Sequence, residues 1–228
     1  MSDSALAALQ ASVVGCRRCP RLVAWREEVA RVKRAAYAGE EYWGRPIQGF
    51  GDPRGRIVVF GLAPAAHGGN RTGRVFTGDR SGDFLFAALH RAGLANQPTS
   101  VHRDDGLELT DTWITAAVRC APPANKPTPA ERDTCIATWA RPELAELPNA
   151  QVMVCLGQFA WDAALRLLDT PPRPKPKFGH GAGFESERWT MLGCFHPSQQ
   201  NTFTGVLTEP MIDDVFEHAK VLAGVAPA

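Results

Sequence analysis

A chain of 228 residues, 44% hydrophobic and 21% charged, has ordinary globular composition and enough length for one well-cored domain. Its formal net charge of +1 excludes a global polyelectrolyte signature, and no apolar run approaches the ~20 residues needed to span a bilayer. Met1-Ser2-Asp3-Ser4 lacks a basic stretch followed by an apolar one, so no signal peptide is expected and the expected compartment is the cytoplasm. The N-terminal arm, residues 1–50, carries Cys16 and Cys19 as a C-x2-C pair amid Arg17, Arg18, Arg21, Arg26, Arg31, Lys33 and Arg34. Acidic residues gather elsewhere, around Asp104, Asp105, Glu108 and Asp111, an asymmetry that gives a neutral protein a basic face.

The body, residues 51–228, begins with the turn Gly51-Asp52-Pro53-Arg54-Gly55, and Ile57 to Leu62 then reads as a buried strand. Ala63 to Arg80 is a long glycine-rich loop, a length that in a compact domain points to function. Phe84 to Leu94 reads as a helix, with Ser81 as N-cap and Gly93 near its end. Asp79 is also placed to cap that helix. Trp113 to Val118 is a second strand. Cys120 and Cys135 flank the proline-rich turn that follows it, and Thr128-Pro129 opens a helix to Leu147, interrupted at Pro142. Gln151 to Leu156 is a third strand, Phe159 to Leu168 a helix, Pro171 to Gly183 an exposed, stiffened loop, Trp189 to Phe195 a fourth strand, and Glu209 to Leu222 a closing helix.

Strand–helix alternation predicts an α/β fold: a single domain over 1–228, three layers α/β/α, around a mostly parallel sheet of about four strands. In such sheets ligands bind beyond the carboxyl ends of the strands. Three segments lie there: Ala63 to Asp79, Cys120 to Thr128, and His196-Pro197-Ser198. The glycine loop has no Gly-Lys-Ser/Thr and no G-x-G-x-x-G, which excludes a P-loop and a dinucleotide fingerprint. Cys16, Cys19, Cys120 and Cys135 make a four-sulfur cage that staples the arm to the body, and either a [4Fe–4S] cluster or a structural zinc fits it. Cys155 and Cys194, inside strands, read as small buried apolar residues.

Together the cysteine arrangement, G-L-A-P-A-A-H-G-G-N-R-T-G-R-V-F-T-G-D (from Gly61), R-C-A-P-P-A-N-K-P-T-P (from Arg119) and H-P-S-Q-Q-N (from His196) resemble family 5 of the uracil-DNA glycosylase superfamily. The resemblance runs from Cys16 to about Gly205, and the long glycine loop carries most of its specificity. It implies a [4Fe–4S] cluster on Cys16, Cys19, Cys120 and Cys135, with zinc the lesser alternative. It implies catalytic roles for Asp79, Asn125 and His196, and base-binding roles for Gly61, Ala63, Pro64, Ala65, His67, Asn70, Arg71, Phe76 and Ser198. Phe76 would stack on an extruded base, and Pro197 to Asn201 would press into the DNA.

The reaction implied is hydrolysis of the N-glycosidic bond of uracil in DNA, leaving an abasic site. Cleavage makes the departing base anionic, so donors must be aimed at its carbonyl. His196 and backbone N–H groups of Ala63 to His67 would supply them, with Asp79 and Asn125 holding the water. Other families of the superfamily place a carboxylate or amide early in the loop where Ala63 stands, and some place an asparagine where Ala116 stands. A roomier pocket taking other deaminated bases, hypoxanthine among them, follows. Arg71, Arg74, Arg173, Lys175 and Lys177 are expected at phosphates. The rival readings are a non-catalytic, metal-stapled nucleic-acid-binding module and a redox carrier. The expected partner is DNA, with no membrane and no nucleotide cofactor, and the expected state is a monomer.

Overall fold

The computed structural model describes residues 3–226. In the arm, α1 (Asp3–Val14) and α2 (Pro20–Val32) precede a 3₁₀ turn (Ala35–Tyr37). Then follow β1 (Phe50–Gly51), β2 (Ile57–Gly61), α3 (Gly69–Thr72), α4 (Arg80–Arg91), β3 (Thr112–Ala116), α5 (Pro129–Cys135) and α6 (Arg141–Ala145). The chain closes with β4 (Val152–Leu156), α7 (Gln158–Ala164), β5 (Gly183–Glu185), β6 (Thr190–Cys194), α8 (Gln199–Phe203) and α9 (Glu209–Ala223). No helix among the described residues is long and apolar enough to cross a membrane.

The sheet runs β1-β3-β2-β4-β6-β5. Its four inner strands are parallel, and β1 and β5 pair antiparallel at the two edges. The expectation of about four strands is therefore corrected to six. The edge strands are two and three residues long, too short to show a side-chain period, and β5 starts inside what reads as an exposed loop.

Alternation across the pleat fills two cores. Ile57 and Val59 face α4 and α9, meeting Leu85, Phe86, Leu89, Val215 and Phe216. Val58 and Phe60 face the other side, meeting Ile136, Leu144, Trp161 and, from α1, Leu6. Helices thus cover both faces of the sheet, as expected of three layers. All five residues of β2, β3 and β4 are buried, which explains the uninterrupted apolar character of β2 and β4.

Two boundaries differ from expectation. α4 starts at Arg80 because Asp79, not Ser81, is its N-cap: the carboxylate accepts from the backbone N–H groups of Ser81 and Gly82. The helix opening at Pro129 runs as α5, a π-turn over Ile136–Ala140, and α6. Pro142 has no N–H to donate back along the helix, and the widened turn ends just before it. At its start Thr128 and Glu131 form a reciprocal capping box. Glu131 also accepts two hydrogen bonds from Arg21 on α2, tying the arm to α5.

Candidate active site

The carboxyl ends of the parallel strands bring Phe76 and His196 together. Their ring centroids lie 6.1 Å apart with a 41° tilt. Phe76 is held there by a backbone that only close packing sustains, since its φ is +50°. Two glycines make room for it. A Cβ on Gly61 would come within 2.8 Å of the Phe76 ring, and one on Gly82 within 1.8 Å of its carbonyl oxygen. Gly82→Ala lies in a helix interior, where alanine ordinarily adds about 1 kcal/mol. Here the sign reverses: we expect a loss of about 1–3 kcal/mol in urea unfolding, as overpacking gives.

His196 leaves the end of β6 with its carbonyl oxygen fixed by the Ser198 N–H (2.8 Å) and the Asn201 side-chain amide (2.9 Å). Its ring has no hydrogen-bonding partner among the described residues. Burial pushes its pKa down to about 4, so the ring is neutral at physiological pH and available as a donor. Gly157, at φ +88°, lets β4's end pass beneath it, because a Cβ there would sit 3.2 Å from His196 Cβ. The shift also sets a pH dependence. Between the unfolded value of 6.5 and about 4, the unfolded chain takes up a proton that the folded one refuses. Stability is thus complete above that window and falls as pH drops through it, by on the order of 3 kcal/mol in total. Urea unfolding from pH 7 to pH 4 should show this slope in the native protein and lose it in His196→Asn.

Asp79 is half-buried and lies between Phe76 and α4 in chain order. Burial raises its pKa, against the two backbone N–H groups that favour its charged form. Oδ1 takes both of those bonds, while Oδ2 leans over Gly68, where a Cβ would clash at 2.0 Å. The carboxylate therefore has one oxygen committed to the helix and the other turned toward the glycine loop. Asparagine also caps helices well, so Asp79→Asn separates the cap from the catalytic role that the resemblance implies. We expect its stability within about 1 kcal/mol of the native protein but a turnover loss of at least tenfold, read by urea unfolding and single-turnover kinetics.

The rest of the loop divides. Ala63, Ala65 and Ala66 are half-buried, and Ala116 is fully buried at the end of β3 beside Gly61. Pro64 is held by Gly69, which a Cβ would bring within 2.9 Å. His67 Nδ1 is hydrogen-bonded to the Tyr42 hydroxyl (3.0 Å), and Asn70, fully buried, donates to the Arg26 carbonyl (3.2 Å). Both side chains thus face the arm. Arg71 gives its donors to the His67 and Gly78 carbonyls and to Glu40, and lies 4.0 Å over the Tyr37 ring. Arg74 is buried, paired with Asp105 and bonded to Thr77 and Ser100. Ser198 caps α8 by accepting from Asn201 N–H. Asn125, at φ +55°, is exposed on a 3₁₀ turn, with no hydrogen bond from its side chain among the described residues.

Of the other expected phosphate contacts, Lys175 pairs with Asp162 (2.7 Å), whereas Arg173 and Lys177 are exposed. Two cations that composition did not single out, and that have no acidic partner among the described residues, neighbour expected site residues in the chain. Arg80, next to Asp79, lies 5.2 Å over the exposed ring of Phe203, and Lys126 follows Asn125. Only their adjacency to Asp79 and Asn125 could have signalled them.

Cys16, Cys19, Cys120 and Cys135 line one hollow with Leu22, Val118 and Trp139. Three of the sulfurs accept hydrogen bonds: Cys120 from Arg26 (2.9 Å), Cys16 from the Trp139 indole (3.3 Å), and Cys135 from the Arg119 N–H (3.3 Å). Burial pushes the Cys120 thiol up to about 11 and that of Cys135 up to about 12, so a bound cation is what would draw off their protons. Among the described residues no group of three or more His, Cys, Asp or Glu is drawn closely enough to hold a metal ion directly. Ala63 packs against this cysteine group, so the pocket loop and the hollow share a wall. Cys155 and Cys194 are buried in the sheet, and burial raises both thiols.

A family model described as the uracil DNA glycosylase superfamily matches residues 48–220. A Type-5 uracil-DNA glycosylase of Mycobacterium tuberculosis is 58% identical over 219 residues, covering 95% of this chain and 81% of that protein. One from Thermus thermophilus is 52% identical over 215 residues, covering 94% and 96%. A Type-4 uracil-DNA glycosylase of Archaeoglobus fulgidus is 30% identical over 180 residues, covering 75% and 76%.

Proposed function

The chain belongs to the uracil-DNA glycosylase superfamily and to its Type-5 group, and from that membership we propose that it excises uracil from DNA. The nucleotide is drawn out of the stack, at a cost of a few kcal/mol that mispairing lowers. Its base then lies on Phe76, and hydrolysis of the N-glycosidic bond leaves an abasic site. The observation that carries this reading is His196: a neutral, half-buried imidazole with no hydrogen-bonding partner among the described residues, beside an aromatic ring in a glycine-shaped cleft.

As the base departs it gathers negative charge, and His196 donates a hydrogen bond to its carbonyl oxygen. A fixed neutral donor in a desolvated site strengthens as that charge grows. Asp79, oriented by its cap on α4, polarises the attacking water through Oδ2, and Asn125 closes over the cleft to help position it. The small side chains of Ala63, Ala65, Ala66 and Ala116 admit purines, so hypoxanthine is a second substrate. Arg80 and Lys126 contact phosphates beside the lesion, and α8 with its preceding turn presses into the duplex.

The cysteines hold a [4Fe–4S] cluster that staples the arm to the body. Four thiols around one hollow, donors on three sulfurs and an apolar wall fit such a group. A zinc ion needs four ligands drawn in to about 2.3 Å, which fits this wider setting less well. The cluster supplies a structural cross-link, with no part in bond cleavage.

Incubation with a duplex carrying one deoxyuridine, then alkali, tests the activity. Strand scission at that position is expected. An intact strand after prolonged incubation with iron-loaded protein would sink the assignment in favour of a binding module.

A further inference from the structure

Arg26 lies within the arm whose cations read, by sequence, as a basic face, yet only 2% of its surface is exposed. Its Nη1 donates to Cys120 Sγ at 2.9 Å and its Nη2 to the Cys16 carbonyl at 3.0 Å. Its Nε is buried without a hydrogen-bond partner among the described residues. The nearest carboxylate oxygen, on Glu27, is 3.9 Å away and already paired with Arg17 at the surface. A buried guanidinium whose close partners are a thiol and a peptide carbonyl, with one shared surface carboxylate at 3.9 Å, is an under-compensated charge, which folded proteins rarely retain. A metal-bound thiolate at Cys120 supplies the missing negative charge.

On the cluster reading above, on which this rests, we infer that Arg26 is the counter-charge of the iron–sulfur centre. It is also the brace that holds Cys16 of the arm and Cys120 of the body in one frame. The same residue's carbonyl accepts from Asn70 (3.2 Å), so the brace reaches the base-pocket loop. Arg26 is a positioning residue: it touches a cluster ligand and no substrate. Because net charge and hydrogen bonds to the sulfurs set the potential of such centres, its removal has a signature beyond stability. A cation beside Cys120 favours the electron-rich form, and neutralising it moves the midpoint potential negative.

The test uses full-length protein purified anaerobically, with Arg26→Gln and Arg26→Lys. Iron and zinc are measured by emission spectroscopy, bleaching of the visible band is followed under an iron chelator, and potentials come from redox titration. Arg26→Gln should bleach several-fold faster than the native protein and titrate at a more negative potential. Arg26→Lys keeps the charge but not the fork, so it should bleach faster with its potential close to native. Should Arg26→Gln fail to accumulate iron, native-like bleaching of Arg26→Lys overturns the inference. So does iron-loaded Arg26→Gln with unchanged lifetime and potential. Zinc in the native protein overturns the cluster reading and this inference together, while leaving the excision assay free to succeed.

Discussion

His196→Ala should slow uracil release under single-turnover conditions by about 10²–10³-fold, the loss that follows removal of one preorganised donor to a developing oxyanion. That corresponds to roughly 2.7–4 kcal/mol of transition-state stabilisation. The effect falls on the chemical step, since a donor to a growing charge contributes little to the ground state. Binding of the lesion, read by titration of a non-cleavable duplex, therefore changes far less than the rate. The residue's low pKa adds a second mark: His196 stays neutral well below pH 6, so protonation of this ring does not shape the rate between pH 5 and 8. The carbonyl of His196 is held from two sides, so loss of the ring leaves the turn in place. A His196→Ala protein that cleaves at the native rate would remove the central role assigned here.

Glu143→Ala should lower the unfolding free energy by about 3–5 kcal/mol, the range for breaking a buried ion pair by deleting one partner. Glu143 on α6 is 1% exposed, as is Arg119, whose guanidinium forks onto it. Its carboxylate also accepts from the Thr115 hydroxyl of β3 (2.6 Å) and the Gln10 amide of α1 (2.5 Å). Gln10 in turn accepts from Gly49 N–H (3.0 Å). One carboxylate thus joins the first helix of the arm, the central sheet and the segment before Cys120. Its loss leaves Arg119 charged, buried and unanswered. Urea unfolding at pH 7 measures the difference, and a change under about 1 kcal/mol would mean that the pair behaves as a surface one. Replacing Arg119 and Glu143 together by apolar residues of similar volume should recover most of the loss, because the penalty lies in the stranded charge.

The parts of the fold legible in the chain were those set by local pattern. Ile57 to Gly61 and Gln151 to Leu156 announce buried parallel strands through continuous β-branched and apolar residues. Thr128-Pro129 announces a helix start through capping chemistry that acts within one turn, and Pro210 another through a fixed φ suited to a first turn. β1 and β5 were not legible because pairing, not side-chain pattern, makes them strands. Within the site, Asp79 could be read as a cap from its place before a helix, and the structure bears that out. The tasks of Arg71 and Arg74 were hidden because their partners Glu40 and Asp105 lie 31 residues away in each case. The special place of Arg26 was hidden the same way, 94 residues from Cys120. A charge's availability is a tertiary property.

With Arg71 and Arg74 turned inward and Lys175 latched to Asp162, three of the five cations expected at phosphates are held by the chain's own carboxylates, whereas Arg173 and Lys177 stand exposed. Each phosphate that a cation neutralises steepens the salt dependence of DNA binding by about 0.9 in log–log slope. Neutralising Arg173 and Lys177 should therefore flatten that slope, and neutralising the inward Arg74 should leave it in place.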